Sequence, residues 1–493
     1  MITENSAESG RAFAEYADYD GIGLAELVRK REVSAHDLVA SALLAIERVN
    51  PKLNALTQVY AKEALIEADR ADPDAPFAGV PFLVKDLTIQ MAGKRSDSGS
   101  RLAQGIVATQ DTELMRRFRR AGVIPIGKTT TPEFGANVVT ESALTGATRS
   151  PWSLGHTPGG SSGGSTAAIA AGVVPLAHGN DGLGSIRIPA ANCHLFGLKP
   201  TRQRTPSGPS LGELSGGRGV EFVMSRSVRD SAAMLDCVHG MDPGAPHCAP
   251  PPHQPFVRAL DRPPPQLRIH VMTRTFSGAP VDPECEANVL AAARLCEDLG
   301  HHVSEASLDI GWDRFYPALI TGACAGGAPG IVAAAEATGR AVTRDMLEPF
   351  TWFLYEAGLE ISAFDYFRAT GEWARVQRLV GVYFETCDLL LTPMLVRPPA
   401  AIGELSADPG SLSAGWHDFG GDGYSPFAGL FNVTGQPAAS IPFGFSGDGL
   451  PLGIHVAGRF GDEATILAFA RQIETARSWH ETRPPIHYSA SRP

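Results

Sequence analysis

The sequence has few of the features that stabilise exported proteins or anchor membrane proteins. Its seven cysteines are widely spaced and contain no Cys-x-x-Cys pair, which argues against a disulfide scaffold or a zinc ribbon and favours a reducing compartment. The first thirty residues are polar and acidic, so we expect no secretory signal. We expect the longest nearly apolar stretch to be Thr166 to Ala177, which is about a dozen residues long and too short to cross a bilayer. We therefore expect a cytoplasmic protein that does not enter a membrane.

Basic residues are also in the minority. The formal net charge is −11 and the pI is about 5.7, so the composition gives no reason to expect a nucleic acid or an anionic membrane as partner. Hydrophobic residues make up 43% and charged residues 19% of the 493 residues, which is ordinary for a compact protein and wrong for a disordered one. A chain of this length can bury a thorough core, in one domain or in several.

Several motifs of catalysis are missing. The sequence contains no G-x-S-x-G nucleophile elbow, and none of its 14 histidines lies in an H-E-x-x-H frame. We expect no metal and no cofactor. Residues Gly122 to Thr129 do fit the phosphate-loop pattern G-x-x-x-x-G-K-T, but their variable positions read as a strand and Thr131-Pro132 follows instead of a helix. This pattern therefore does not predict a nucleotide site.

Helical spacing of apolar residues alternates with short apolar runs, which implies an α/β sheet with both faces covered. Ser34 is a plausible helix N-cap, and Pro51 is expected to end the helix that follows it. Prolines crowd residues 243–265, which could form either a linker or an ordered excursion over one domain. We predict helices over 112–121, 227–239 and 283–299, less regular helical structure over 315–385, and strands over 80–84, 123–126, 267–271 and 388–391.

The glycine- and serine-rich segment from Pro158 to Ser165 is the most informative part of the sequence. Such composition is typical of flexible linkers, but this segment lies between apolar stretches and leads directly into a good helix-forming sequence. Glycines at that point let the backbone approach a ligand closely, with several amides directed to one place. We interpret the segment as a site loop.

A second glycine-rich turn, Gly179 to Pro189, carries Ser185 between an acid, Asp181, and a base, Arg187. Lys85 lies beside an apolar run, in a Val-Lys-Asp context. Together these residues favour a serine–lysine nucleophile system over a Ser-His-Asp triad.

These three segments resemble the amidase signature family, whose Ser-cisSer-Lys triad lies on a V-K-D lysine, a G-G-S-S-G-G loop and a G-x-D-x-G-G-S-I-R-x-P turn. Further blocks along almost the whole chain are similar to the family, among them residues 127–135, 195–201, 226–230, 391–393 and 432–437. The resemblance implies a central twisted mixed β-sheet covered by helices on both faces. It also implies one domain over residues 1–493, with an N-terminal helical segment to about 70, a catalytic core to about 240, a Pro-rich excursion at about 241–266, and a C-terminal part that completes the sheet and the substrate pocket.

The resemblance also implies roles for individual residues. Ser185 is the expected nucleophile, Ser161 follows a cis peptide bond and relays its proton, and Lys85 is the base. The remaining expected site residues are the oxyanion-hole amides of Gly182, Leu183, Gly184 and Ser185, the supporting residues Gly160, Ser162, Asp181 and Arg187, and the pocket residues Phe134, Gly135, Ala136, Asn137, Cys324, Tyr424 and Phe427.

Departures from the family pattern bear on the substrate. Leu183 replaces a usual glycine in the oxyanion turn, Phe222-Val223 replaces a Gly-Pro, and Leu430 replaces a proline. The sequence, especially His178 to Asp181, is more similar to stand-alone amidases of the nylon-oligomer, aryl-amide or urethane type than to the glutamine amidotransferase subunit. Ser425 stands where that subunit has an acid.

We therefore expect hydrolysis of C–N bonds in neutral, partly apolar amides, with carbamates and esters as possible further substrates. The alternative is a glutaminase subunit that delivers ammonia to a partner. The expected binding partner is a small-molecule amide or carbamate, and the expected assembly is a monomer or a homodimer.

Overall fold

A computed structural model describes residues 12–209, 211–405 and 407–491 of the chain. Eleven of its strands form one mixed sheet, in the order β1-β3-β2-β6-β8-β7-β12-β13-β11-β9-β10. The strands are β1 Leu56–Val59, β2 Pro81–Lys85, β3 Ile124–Thr129, β4 Glu141–Ser142, β5 Gly146–Ala147, β6 Leu176–Asp181, β7 Phe196–Lys199, β8 Val220–Ser225, β9 Arg268–Val271, β10 His302–Glu305, β11 Leu389–Pro393, β12 Ala438–Phe445 and β13 Pro451–Gly458. Strands β4 and β5 form a separate two-stranded sheet.

Helices flank the large sheet, which confirms the predicted α/β class and the mixed sheet of the amidase signature fold. The helices are α1 Gly21–Arg29, α2 Ala35–Leu53, α3 Ala61–Ala68, α4 Glu113–Ala121, α5 Gly163–Ala170, α6 Arg187–Asn192, α7 Val228–Val238, α8 Pro283–Asp298, α9 Trp312–Thr338, α10 Pro349–Glu360, α11 Ala363–Thr386, α12 Leu412–Gly420, α13 Ala428–Thr434 and α14 Glu463–Ala476. Short 3-10 helices cover Tyr16–Asp18, Glu133–Gly135, Phe256–Leu260, Trp479–Glu481 and Tyr488–Ser491.

The strand directions explain where polar side chains collect. Strand β2 runs parallel to both of its neighbours, β3 and β6, so the carboxyl ends of these three strands meet at one edge of the sheet. In open α/β sheets, ligands bind outside the carboxyl ends of the strands. Lys85 ends β2 and Asp181 ends β6, so the fold places both at this edge.

Most predicted elements are present, and local sequence explains their ends. Ser34 caps α2 in a capping box with Asp37, while the side chains of Thr112 and Ser227 cap α4 and α7. The prediction that Pro51 ends its helix is wrong. The helix continues to Leu53, which is fully buried, and Asn54 ends it in a left-handed conformation.

The proline-rich segment lies against the body of the protein. The ring of Phe256 is buried, and the Phe256 amide donates to Asp236 of α7 at 2.7 Å. The Arg204 guanidinium lies 5.5 Å from the centre of the Phe256 ring and donates to the carbonyl of Pro250. The segment is therefore an ordered excursion over the fold between the strands β8 and β9.

The expectation about apolar stretches needs a correction. Helix α9 contains an uncharged run longer than Thr166 to Ala177, and by length and composition it could cross a membrane. This evidence is weak, because the core helices of many proteins pass the same test and 39% of the most apolar stretch of α9 is buried in the fold. Within the described ranges, α9 is the one helix that meets these criteria.

Candidate active site

Lys85 lies at the buried end of β2 and is fully shielded from solvent. Its Nζ atom is 2.6 Å from Ser161 Oγ, 3.0 Å from Ser162 Oγ and 2.6 Å from Asn180 Oδ1. Burial lowers the pKa of Lys85 well below its usual value, although the nearby carboxylate of Asp181 acts in the opposite direction. The site therefore favours a neutral amine in contact with a serine hydroxyl.

The glycine- and serine-rich segment, interpreted from the sequence as a site loop, is packed inside the fold and leads into a helix, which does not fit a flexible linker. All of its residues from Pro158 to Ser165 are buried, and its last residues begin α5. The peptide bond between Gly160 and Ser161 is cis. A Cβ atom built on Gly135 would lie 3.2 Å from Ser161 Oγ, so the backbone of residue 135 closes one side of this serine. Ser161 is 1% exposed.

Ser185 occupies a more open position, on the turn between β6 and α6. It is half-buried, and so are Gly182 and Leu183 before it. Gly184 has a φ of +124°, and a Cβ atom there would lie 2.8 Å from the Cβ of Ala428, so the turn at this position requires glycine. Among the described residues no hydrogen bond joins the Ser185 hydroxyl to the buried pair Lys85–Ser161.

One of the expected oxyanion-hole donors is occupied. The amide of Gly184 donates to Asp181 Oδ1 at 2.7 Å, so this N–H holds the turn together and does not face a substrate. No such carboxylate contact is found, within the part of the chain that the structure describes, for the amides of Gly182, Leu183 and Ser185. These three amides are the remaining candidates for binding an oxyanion.

A buried ion pair supports the turn from behind. Asp181 and Arg187 are both fully buried and form a bidentate ion pair. Arg187 Nε donates to Asp181 Oδ2 and Arg187 Nη2 donates to Asp181 Oδ1, each at 2.9 Å. Burial alone would raise the pKa of Asp181, but the Arg187 guanidinium outweighs this effect and holds the pKa below its usual range. Arg187 also donates to Asn432 Oδ1 at 2.6 Å and lies 3.0 Å from His455 Nε2. The pair thus ties the turn to α13 and β13.

Some of the expected pocket residues pack in clusters that Leu183 contacts, and others do not. Ala136, Cys324 and Tyr424 contribute to one apolar cluster that Leu183 also contacts, and Phe427 belongs to a neighbouring cluster that Leu183 contacts as well. Phe134 instead packs with residues such as Leu102 and Ile331 in a separate cluster. Asn137 is buried, and its Oδ1 accepts the amide of Val139 at 3.2 Å.

Sequence reasoning missed a polar chain that leads away from Lys85. Asn180 Nδ2 donates to Thr88 Oγ1 at 2.9 Å, and the Thr88 hydroxyl donates to Glu221 Oε1. Glu221 is 6% exposed and lies 3.5 Å from Nε2 of buried His178. The signal that could have revealed Asn180 is a polar side chain in β6, a strand buried along its whole length.

The phosphate-loop pattern has the structure that its sequence context predicted. Gly122 ends α4, and the following residues form β3. Lys128 is fully buried and pairs with Asp86 at 3.0 Å, so it has no phosphate-binding position. In the described ranges no group of three or more His, Cys, Asp or Glu side chains is arranged to hold a metal ion.

The fold and this site define a class of enzyme, the hydrolases of amide bonds. A sequence model of the family described as Amidase matches residues 37–467. The chain belongs to the amidase signature family and is an amidase that hydrolyses C–N bonds.

Two kinds of relative narrow this class. The chain is 38% identical over 477 residues to the 6-aminohexanoate-cyclic-dimer hydrolase of Pseudomonas sp. (strain NK87), covering 95% of this chain and 96% of that protein. A solved structure of a 6-aminohexanoate cyclic dimer hydrolase superposes with a TM-score of 0.91 at 37% identity, over 95% of this chain and 99% of the other. A bacterial aryl acylamidase structure superposes with a TM-score of 0.85 at 26% identity, covering 96% and 99% of the two chains. This protein is thus similar to hydrolases of nylon-type oligomers.

Proposed function

We propose that this enzyme hydrolyses partly apolar amides of the nylon-oligomer type through an acyl-enzyme on Ser185, with Ser161 and Lys85 as a proton relay. The observation that carries this proposal is the buried Lys85 amine, 2.6 Å from the Ser161 hydroxyl, next to a turn that presents a half-exposed serine. A hydroxyl that attacks an amide carbonyl needs a base close to its proton, and an amine with a strongly lowered pKa can serve near neutral pH.

The hydrogen-bonding capacity of the site supports a neutral lysine. Asn180 Oδ1 is an acceptor only, so it takes one N–H of Lys85, and a second N–H can be given to Ser162 Oγ. The lone pair of the neutral amine then faces the Ser161 hydroxyl. A charged ammonium at the same place would be buried without any carboxylate in direct contact, which is costly.

The reaction follows from these contacts in two halves. Ser185 Oγ attacks the carbonyl carbon while its proton passes to Ser161, whose own proton passes to Lys85. The amides of Gly182, Leu183 and Ser185 stabilise the charge on the carbonyl oxygen. The proton then returns by the same route to the leaving nitrogen, and the C–N bond breaks. Water releases the acyl group by the reverse sequence of proton transfers.

The surroundings of the turn support an apolar substrate. Leu183 contacts two apolar clusters, one with Cys324 and Tyr424 and one with Phe427. A lining of this kind suits the methylene chains of nylon-type oligomers and of the 6-aminohexanoate cyclic dimer, the substrate that the names of two relatives state. Carbamates with the same chains are a further proposed substrate class, and the cytoplasm is the proposed compartment.

The glutaminase alternative finds no support at Ser425. This serine is buried and its hydroxyl donates to the carbonyl of Phe419 at 2.7 Å, so it offers no acid for the amino group of a glutamine. The substrate panel should therefore include glutaminamide-type substrates, which the glutaminase alternative predicts to be the preferred ones.

The test is covalent labelling combined with a substrate panel. Ser185→Ala should lower the hydrolysis of apolar amides by roughly 10⁴-fold or more and abolish labelling by a fluorophosphonate, while the circular dichroism spectrum stays unchanged. Ser207→Ala, at another half-buried serine, is the matched control and should keep both activities. Labelling that persists in Ser185→Ala at another serine would overturn the assignment of the nucleophile.

A further inference from the structure

Four arginines of the described chain are buried, and one of them lacks a carboxylate partner. Arg117 pairs with Glu113, Arg187 pairs with Asp181 and Arg204 pairs with Glu463, each at 2.9 Å or less. No ion pair is found for Arg218, which is 4% exposed, within residues 12–209, 211–405 and 407–491. A guanidinium stays charged at neutral pH, so its burial without a counter-charge is unfavourable.

The contacts of Arg218 leave part of its hydrogen-bonding capacity unused. Nη2 donates to the carbonyl of Gly322 in α9 at 2.7 Å, and the guanidinium carbon lies 5.2 Å from the centre of the Trp373 ring. Nε is buried and has no hydrogen-bond partner among the residues that the structure describes. Burial lowers the pKa of Arg218 to about 10, which still leaves it charged at neutral pH. Arg218 therefore contacts the carbonyl of Gly322 and the ring of Trp373, where each of the other three buried arginines contacts a carboxylate.

Arg218 is connected to the oxyanion turn by two routes. Its carbonyl accepts a hydrogen bond from Asn432 Nδ2 at 3.1 Å, and the same Nδ2 donates to the Asp181 carbonyl at 2.9 Å. On the other side, Leu183 and Leu319 of α9 both come within about 3.5 Å of the Cβ position of Gly429. Gly322 follows Leu319 by roughly one helical turn, about 5 Å along the axis. Arg218 thus contacts the same helix, α9, whose Leu319 lies with Leu183 beside Gly429.

We propose that Arg218 is a binding residue for a carboxylate that the substrate carries several methylenes away from the scissile bond. This inference rests on the proposed function, because it places the reacting carbonyl at Ser185. A carboxylate suits the site because the planar guanidinium binds it with two parallel N–H groups, including the free Nε. None of the pocket residues expected from the sequence is charged, which fits the expectation of a neutral substrate, and Arg218 is not among those residues.

The test compares substrates that differ in one group. In the acyl arm, the p-nitroanilide of adipic acid is compared with that of 6-hydroxyhexanoic acid. In the amine arm, N-hexanoyl-6-aminohexanoate is compared with N-hexanoyl-6-aminohexanol. The quantity of interest is the ratio of kcat/KM for the carboxylate to that for the alcohol, in the wild type and in Arg218→Met, which keeps the apolar stem.

In at least one arm, the wild type should prefer the carboxylate, and Arg218→Met should lower this ratio by about 10- to 100-fold while the alcohol changes little. Arg218→Lys should keep part of the preference. If Arg218→Met does not fold, the ratio of kcat/KM in Arg218→Lys is compared with that in the wild type instead. Arg202→Met is the matched control, because Arg202 is a neighbouring arginine that donates to the carbonyls of Asn432 and Val433. It should leave the ratio unchanged.

Equal losses on carboxylate and alcohol in the Arg218 variants would mean that Arg218 only supports α9, and the proposal would be wrong. A wild type that favours the alcohol in both arms would overturn it as well. Calorimetry of adipate and hexanoyl-aminohexanoate with Ser185→Ala separates this proposal from the proposed function. Binding that depends on Arg218 should persist without the nucleophile, and absence of such binding counts against the carboxylate site alone.

Discussion

The proposed site has a catalytic end at Lys85 and a substrate end at Arg218, and each end buries a basic side chain in a different environment. Lys85 has three polar partners from the chain, and burial lowers its pKa well below the usual value of a lysine. Arg218 cannot give up its proton near neutral pH, and its Nε has no partner among the described residues. The contrast suggests that burial serves catalysis where the cation can become neutral, and serves binding where it cannot.

The largest effect should follow from removing the basic side chain of Lys85 at the catalytic end. Lys85→Met is expected to lower amide hydrolysis by about 10⁴-fold but hydrolysis of a nitrophenyl ester by about 10-fold, because the better leaving group needs less proton transfer. Both rates can be measured on the same protein preparation. Arg218→Met should not separate amides from esters in this way. Equal losses on the two substrates would indicate that Lys85 has a structural role.

A buried arginine with an acid partner should differ from Arg218 in its effect on stability. Arg187→Met leaves the Asp181 carboxylate buried and unpaired, so the free energy of unfolding should fall by about 3–5 kcal/mol. Urea denaturation followed by fluorescence measures this change. Arg344→Met, at an ion pair with Glu356 that is largely exposed, is the control and should give no resolvable change. A similar stability for Arg187→Met and wild type would contradict the importance of the pair.

The pH dependence tests the polar chain behind Lys85. The base must be neutral, so activity should rise as pH increases through the pKa of Lys85. Burial lowers this pKa, while the charges of Asp181 and Glu221 raise it, and His178 lies against Glu221. Glu221→Gln removes one of the raising charges, so the pKa should fall and the rise should move to lower pH, by about one unit.

Profiles of kcat/KM between pH 4 and pH 10 measure that shift. Glu474→Gln, at a buried acid of α14 that pairs with Arg471, is the control and should keep the wild-type profile. A profile of Glu221→Gln that coincides with the wild type, or that moves to higher pH, would exclude an electrostatic influence of Glu221 on the base.

The smallest effect should follow from a change at Leu183, whose side chain contacts two apolar clusters beside the turn. Leu183→Gly removes a side chain that contacts both apolar clusters, so bulky amides and carbamates should gain about 3- to 10-fold in kcat/KM relative to small ones. The glycine also makes the turn more flexible, with a cost of about 0.5–1 kcal/mol. A size-graded substrate series gives the answer. If all substrates change by the same factor, Leu183 holds the turn and does not select substrates.

The sequence could single out the parts of the proposed catalytic end because they are short and local, and the structure brings two of them, Lys85 and Ser161, into contact. Lys85 ends a strand, Ser161 lies in a glycine-rich loop and Ser185 lies on a turn, so each is recognisable within about ten residues. The occupied Gly184 amide could not be predicted in this way, because the pattern of the turn does not tell which amides face inward. The continuation of α2 past Pro51 depends on burial of Leu53, a tertiary effect.

The substrate end could not be predicted to the same extent. Its parts come from residues far apart in the chain, such as Leu183, Leu319 and Phe427, and their contact depends on how α9 and α13 pack. Phe134 is one of the pocket residues expected from the sequence, but it has a positive φ and packs in another cluster. Arg218 precedes β8 in a segment without periodicity, so its burial had no signal in the sequence.

The hydrogen bonds of Arg187 have a consequence for the synthesis of the protein on the ribosome. Two of its partners, Asn432 and His455, follow it by 245 and 268 residues in the chain. Translation at roughly 5–20 residues per second needs about 13–54 seconds to produce the more distant of them. During that interval the turn that carries Ser185 lacks these two contacts, so we expect the emerging polypeptide to stay inactive, and exposed to chaperones and proteases, until residue 455 has been made.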